Sequence, residues 1–257
     1  MKKVISVLVI SLPAYILSFC TESTSGKQSK INNVQSANIK SSIAVLELFT
    51  SQGCSSCPPA DRLLGKYTNA DNVIALSFHV DYWDRLGWKD SFSSPVFTQR
   101  QNDYAKALGL NQIYTPQLII NGEKEMVGSA EDKISATIKK AQEKQSAAIV
   151  TINKVSADGV KATLDYSIEG AEKSAILNIA LVQDKITTNV KTGENGGATL
   201  TNYNVVRNFK SIASVNDGTN SAFVDLPQGV NKNDLSVIIF LQSSSSYRIS
   251  AAAKSSL

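Results

Sequence analysis

One stretch limits what this chain can fold into more than any other. Ala44-Val45-Leu46-Glu47-Leu48-Phe49 is almost wholly apolar, as a strand covered on both sheet faces would be, and Gly53 interrupts it just before Cys54-Ser55-Ser56-Cys57-Pro58-Pro59. A helix is expected to follow. Two cysteines three apart at a helix start lie close enough to bond, and the unpaired N–H groups there favour a thiolate. The stretch reads as a redox site.

With 257 residues and 42% apolar composition the chain can build two ordinary cores. Its formal charge of +4 includes Lys2 and Lys3, and without them the field is too weak to recruit nucleic acid, which is set aside as a partner. Met1-Lys2-Lys3 and the apolar run to Phe19 read as an export signal over residues 1–19, too short to span a bilayer comfortably. Leu17-Ser18-Phe19-Cys20 is similar to a lipobox, so Cys20 is the candidate lipidation site and membrane anchor, although Phe19 is bulkier than that pattern favours. Polar residues 20–42 suit a flexible tether. The expected location is periplasmic, as a membrane-anchored lipoprotein. Only Cys54 and Cys57 then belong to the folded part, so there is no disulfide framework and the pair is chemical rather than structural.

Farther along, Ala60, Leu63, Leu64 and Tyr67 give the segment after the dithiol one apolar face, with Pro58 and Pro59 confined to a first turn beginning near Cys57. Residues 73–78 form a second strand run, leading into an aromatic loop that holds Tyr82, Trp83 and Trp88. Parallel pairing with the first strand would place that loop beside Cys54. Ser94-Pro95 starts a helix that Gly109 stops. Tyr114-Thr115-Pro116-Gln117 enters a third strand, Asn121-Gly122 turns into a fourth, and Ser129 with Asp132 caps a last helix ending near residue 146.

These residues together resemble an exported bacterial thioredoxin-like family known as domain of unknown function family 1223. The resemblance rests on Glu47 to Asp61, on Phe78-His79-Val80-Asp81-Tyr82-Trp83-Asp84 with Leu86 to Asp90, and on Tyr114-Thr115-Pro116-Gln117. It continues through Gly193-Glu194-Asn195-Gly196-Gly197-Ala198-Thr199-Leu200 and Val205-Val206-Arg207. It implies export and an α/β thioredoxin-like domain over residues 43–146, and it supplies no substrate. In such a fold the proline corresponding to Pro116 is cis and lies beside the dithiol, where the preceding backbone pairs with an extended substrate.

Residues 147–257 lose helical periodicity and show short alternating runs at 160–168, 176–182, 203–209, 222–226, 235–241 and 247–252. About seven strands suggest an all-β, immunoglobulin-like sandwich as a C-terminal domain. The glycine-rich 193–197 stretch lacks a strand-loop-helix context for phosphate and reads as an ordinary loop.

The leading functional reading is an exported thiol-disulfide oxidoreductase acting on extracytoplasmic thiol or disulfide proteins without a cofactor, in which Cys54 attacks and Cys57 resolves. Glu47, just before the site, is a candidate proton relay to Cys57 or a plain strand-end carboxylate. His79, the only histidine, is a candidate to support the thiolate, and Thr115 with Pro116 to position the partner. Tyr82, Trp83 and Trp88 are candidate substrate contacts or core aromatics. The alternative is a copper or zinc binding protein using Cys54, Cys57 and His79. A third reading is a redox-inert scaffold whose C-terminal half does the interacting.

Overall fold

The computed structural model describes residues 43–213 and 215–257, so the leader, the tether and Cys20 lie outside the described residues. Eleven strands and three α-helices alternate along them. The strands are β1 (Ala44–Thr50), β2 (Val73–His79), β3 (Gln117–Ile120), β4 (Lys124–Val127), β5 (Ile149–Ala157), β6 (Lys161–Glu169), β7 (Ala175–Asn189), β8 (Thr199–Ala213), β9 (Gly218–Asp225), β10 (Leu235–Ser243) and β11 (Ile249–Ser256). The helices are α1 (Pro58–Tyr67), α2 (Pro95–Leu108) and α3 (Glu131–Gln142).

Eight of the strands form one mixed sheet in the order β11-β10-β7-β8-β2-β1-β3-β4, and β5-β6-β9 form a second sheet. This corrects the expected architecture. The chain is not an α/β thioredoxin-like domain followed by an immunoglobulin-like sandwich; it is mostly β, and strands from both halves of the sequence share the large sheet. The joint is β2 beside β8, parallel at Ser77 and Val205.

Side-chain alternation shows why. A sandwich strand buries one face, but β7 and β10 bury both. Leu177, Ile179, Leu181, Val237, Ile239 and Leu241 pack into one core against β5, β6 and β9. Ala180, Val182, Ile238 and Phe240 point the other way, into a core shared with Phe49 and Phe78 of the first strands and Phe97 and Tyr104 of α2. The large sheet therefore carries α2 on one face. Its other face is covered by α1 and α3 over β1 and β3, and by the small sheet over β7 and β10.

Local signals explain the elements that position the site. Ser94 caps α2 through Val96 N–H, Pro95 occupies the first turn, and Gly109 closes the helix at φ 65°. α3 differs from expectation: its N-cap is Ala130, without a side-chain cap. Asn121 and Gly122 both take positive φ in the β3–β4 turn, and the Asn121 side chain bonds Val45 N–H and the Ile43 carbonyl, tying the turn to β1.

Candidate functional site

Cys54 and Cys57 are joined by a disulfide, with their Cα atoms 5.4 Å apart, in the turn between β1 and α1. Cys57 is the N-cap of α1, and its carbonyl accepts from Ala60 N–H at 2.9 Å and Asp61 N–H at 3.1 Å. Pro58 and Pro59 contribute no N–H to that first turn. Beside the Cys54 Sγ lie the Ser56 hydroxyl, which can donate to it, at 3.3 Å and the Thr115 carbonyl oxygen, an acceptor only, at 3.9 Å. The Thr115-Pro116 peptide is cis. Both cysteines are 0% exposed, which an accessible attacking thiol would not be.

The tip of the β7–β8 hairpin is bonded to the main chain of the dithiol turn. Asn204 takes φ 42° and β7 bulges between Leu181 and Val182, and beyond these points the hairpin lies over α1. Tyr203 sits so close to Gly65 that an added Cβ there would be 2.5 Å from its ring. At the tip, Asn195 Nδ2 donates to the carbonyls of Gln52 and Cys54, each at 2.9 Å, and Glu194 accepts from Ser55 N–H at 3.2 Å. Thr192 donates its hydroxyl to the Gly87 carbonyl, and Gln52 Nε2 donates to Thr188 Oγ1 at 3.0 Å. The glycine-rich stretch expected to be an idle loop is thus bonded to the dithiol turn. Composition hides this, because glycine marks the bend while one asparagine makes the contact.

The aromatic loop reaches the same place. Trp83 Nε1 donates to Thr115 Oγ1 at 2.8 Å and Trp88 Nε1 to Gln52 Oε1 at 3.1 Å. Both rings are half-buried. The Tyr82 hydroxyl is 3.3 Å from Gln101 Oε1, and both Tyr82 and Trp83 pack against the α2 core.

Strand alternation moves Glu47 out of the site. Leu46 and Leu48 face α1, whereas Val45 and Phe49 face the α2 core, and Glu47 shares their side. Its carboxylate takes a bidentate pair from Arg100, Nε at 2.6 Å and Nη2 at 3.0 Å, together with the Tyr104 hydroxyl. A relay from Glu47 to Cys57 is therefore corrected to a structural ion pair on the opposite face of the sheet.

Under α1 lies a polar cluster that the sequence did not announce. Thr50 and His79 are register partners at the carboxyl ends of β1 and β2, and Asp61 comes down from α1 on the same face. His79 Nδ1 is 2.6 Å from Asp90 Oδ2, and that carboxylate also accepts from Gln52 N–H at 2.8 Å. Burial is the largest single effect and works against the imidazolium, but the Asp90 and Asp61 carboxylates together outweigh it and raise His79 above its usual value. Asp90 is pushed up by burial and pulled down more strongly by His79 and by backbone N–H groups, for a net lowering. Asp61 is raised from 3.8 to about 6, chiefly by burial, with His79 acting in the other direction. His79 thus holds Gln52, and through it the turn before Cys54, by way of Asp90.

His79 Nδ1 is bonded to Asp90 while its buried Nε2 has no hydrogen-bond partner, and among the described residues no three of His, Cys, Asp or Glu are grouped to hold a metal ion.

A family model described as protein of unknown function (DUF1223) matches residues 45–242. Among solved structures, a crystal structure of protein AGR_C_4864 from Agrobacterium tumefaciens is similar at 29% identity with a TM-score of 0.65, covering 83% of this chain and 94% of that one. A β-glucosidase from Kluyveromyces marxianus covers 46% of this chain and 16% of that one at 10% identity and a TM-score of 0.21, too slight a likeness to carry an argument. No curated protein matches the chain.

Proposed function

The chain belongs to the protein family of unknown function DUF1223, whose description leaves the chemistry open, and from that premise we propose that it exchanges thiols and disulfides with proteins at Cys54–Cys57. The observation that carries this reading is the disulfide itself, closed at a strand-to-helix turn beside the Thr115 carbonyl. A bridge spanning so short a loop adds little entropic stabilisation, since that gain grows with loop length, so its chemistry is the better reason for it.

In the exchange, a partner thiolate attacks the Cys54 Sγ, the Cys54–Cys57 bond breaks, and Cys57 leaves as a thiolate that takes up a proton. A second partner thiol then attacks the mixed disulfide, releases Cys54, and leaves the partner oxidised by two electrons and this chain reduced by two. The reverse sequence begins with the Cys54 thiolate on a partner disulfide and ends when Cys57 resolves it. Thr115 supplies the carbonyl beside the sulfur, and Trp83 fixes that residue through its hydroxyl. The setting we propose is extracytoplasmic, with the leader exporting the chain and Cys20 anchoring it.

The test is to reduce wild type, Cys54→Ser and Cys57→Ser and present each with a disulfide-bearing model protein. Wild type is expected to exchange, Cys54→Ser to be inert, and Cys57→Ser to accumulate a mixed disulfide visible on a non-reducing gel. A reduced wild type that leaves the model disulfide intact, or exchange that persists without Cys54, would sink the proposal. Ser56→Ala removes the hydroxyl 3.3 Å from the attacking sulfur, and stopped-flow exchange is expected to slow by roughly fivefold, the worth of one hydrogen bond.

A further inference from the structure

Resting on the exchange reading, we infer that the tip of the β7–β8 hairpin is a gate held by Asn195, standing where the backbone of an extended, cysteine-bearing polypeptide partner would bind. Cys54 is wholly covered while flanking Ser55 and Ser56 are exposed, so the turn reaches the surface but its sulfur does not. A specific set of bonds joins the hairpin tip to the main chain of that turn, on top of the packing of Tyr203 against Gly65 and of Gly193 against Trp88. Asn195 gives one amide nitrogen to two carbonyls, those of Gln52 and Cys54, and Glu194 takes the Ser55 N–H.

The chemistry of that set suggests the partner. A primary amide donating to two main-chain carbonyls, with an acceptor beside it taking a main-chain N–H, offers the dithiol turn what a neighbouring peptide segment would offer. An incoming extended polypeptide can therefore replace each bond it displaces, donor for donor and acceptor for acceptor. A small thiol cannot, and meets the gate closed. The hairpin pairs with the large sheet only up to Val205, and the left-handed Asn204, its side chain donating to the Ala75 carbonyl, marks where it departs. Thr192 on Gly87, Thr188 on Gln52 and the close packing of Gly193 on Trp88 are further ties at the tip.

The experiment compares reduction of the oxidised chain by dithiothreitol and by a dithiol protein of the exchange assay, in wild type, Asn195→Ala, Glu194→Ala and Thr187→Val. Loss of the two Asn195 bonds is expected to speed reduction by dithiothreitol roughly 10- to 100-fold. The protein reductant should gain far less, since it already displaces the tip. Glu194→Ala is a milder release, expected to gain about threefold, and it keeps the test alive should Asn195→Ala fold poorly. Thr187→Val removes a hydroxyl pair with Thr201 inside the same hairpin and should change neither rate. Circular dichroism melts of the variants separate gate opening from global unfolding.

Equal gains for both reductants, or none in either Asn195→Ala or Glu194→Ala, would overturn the gate while leaving exchange at Cys54 intact. A gain with dithiothreitol, in a chain that never exchanges with any protein dithiol, would keep the cover but remove the polypeptide partner and the exchange reading together.

Discussion

Replacing Arg100 with methionine is expected to destabilise the protein by about 3–5 kcal/mol, the usual result of removing one partner from a buried ion pair. Glu47 is fully buried, and Arg100 is its bidentate partner with only a tenth of its side chain exposed. Burial alone would lower the guanidinium's affinity for its proton, but the Glu47 carboxylate more than reverses that and holds it charged. Four aromatic rings, of Phe78, Tyr104, Phe209 and Phe240, surround the guanidinium at 4.7–5.6 Å. The change leaves an uncompensated carboxylate in an apolar core. At about 2–4 °C per kcal/mol for a chain of this size, the melting temperature should fall by roughly 6–20 °C.

The compensating double variant decides what kind of effect this is. Glu47→Leu with Arg100→Met removes both charges, and most of the lost stability is expected to return, giving strong non-additivity in a denaturant double-mutant cycle. A single Arg100→Met within about 1 kcal/mol of wild type would refute the pair's importance. The consequence also reaches the architecture. Gln242 of β10 accepts from Arg100 and donates to the Tyr104 hydroxyl, while Glu47 belongs to β1, so one network ties both halves of the sequence across a single sheet. Probes of the two halves should therefore report one transition in the variant, as in wild type.

That network also marks where sequence reading stops. Alternation along β1 was visible in Ala44 to Phe49, but nothing local says which of its two faces α1 will cover, and Glu47 fell on the other. The dithiol turn, α2 with its Ser94 cap and Gly109 stop, and six of the seven strands after residue 147, all but β5, were legible, because each is set by spacing or by one or two residues with special backbone needs. The way those seven strands attach was not. Apolar residues on both faces of β7 and β10 were the available signal that they lie inside a covered sheet, and counting strands without asking about their second faces gives a separate sandwich. Asn195 contacts a turn more than 130 residues earlier in the chain, a separation at which no pattern of composition or period operates. Asp61 was the nearest miss: an acid between Ala60 and Leu63 on the face that the helix buries.

That buried acid should make the protein more stable in mild acid than at neutral pH, and Asp61→Asn should abolish most of the difference. The sign follows from linkage. Asp61 titrates at 3.8 when unfolded and at about 6 when folded, so between these values the folded chain holds a proton that the unfolded chain has lost, and stability falls as pH rises through that window. A shift of this size corresponds to roughly 3 kcal/mol between pH 4 and pH 7. His79 acts in the same direction, since its folded value is raised: its contribution is complete below its unfolded value and is lost as pH rises through the folded one. Asp90 opposes them at the acid end, because its folded value is lowered and its contribution disappears as pH falls below the ordinary carboxylate range. Stability should therefore peak near about pH 4, at the acid end of that window. With asparagine at 61 the buried charge is gone, and at pH 8 the variant should melt above wild type while its profile from pH 5 to pH 8 flattens to the His79–Asp90 part alone. Melting curves across that range decide the matter. An unchanged slope in Asp61→Asn would show that the carboxylate is not the group responsible, and a variant less stable than wild type at pH 8 would show that His79 stabilises the Asp61 anion by more than burial costs it.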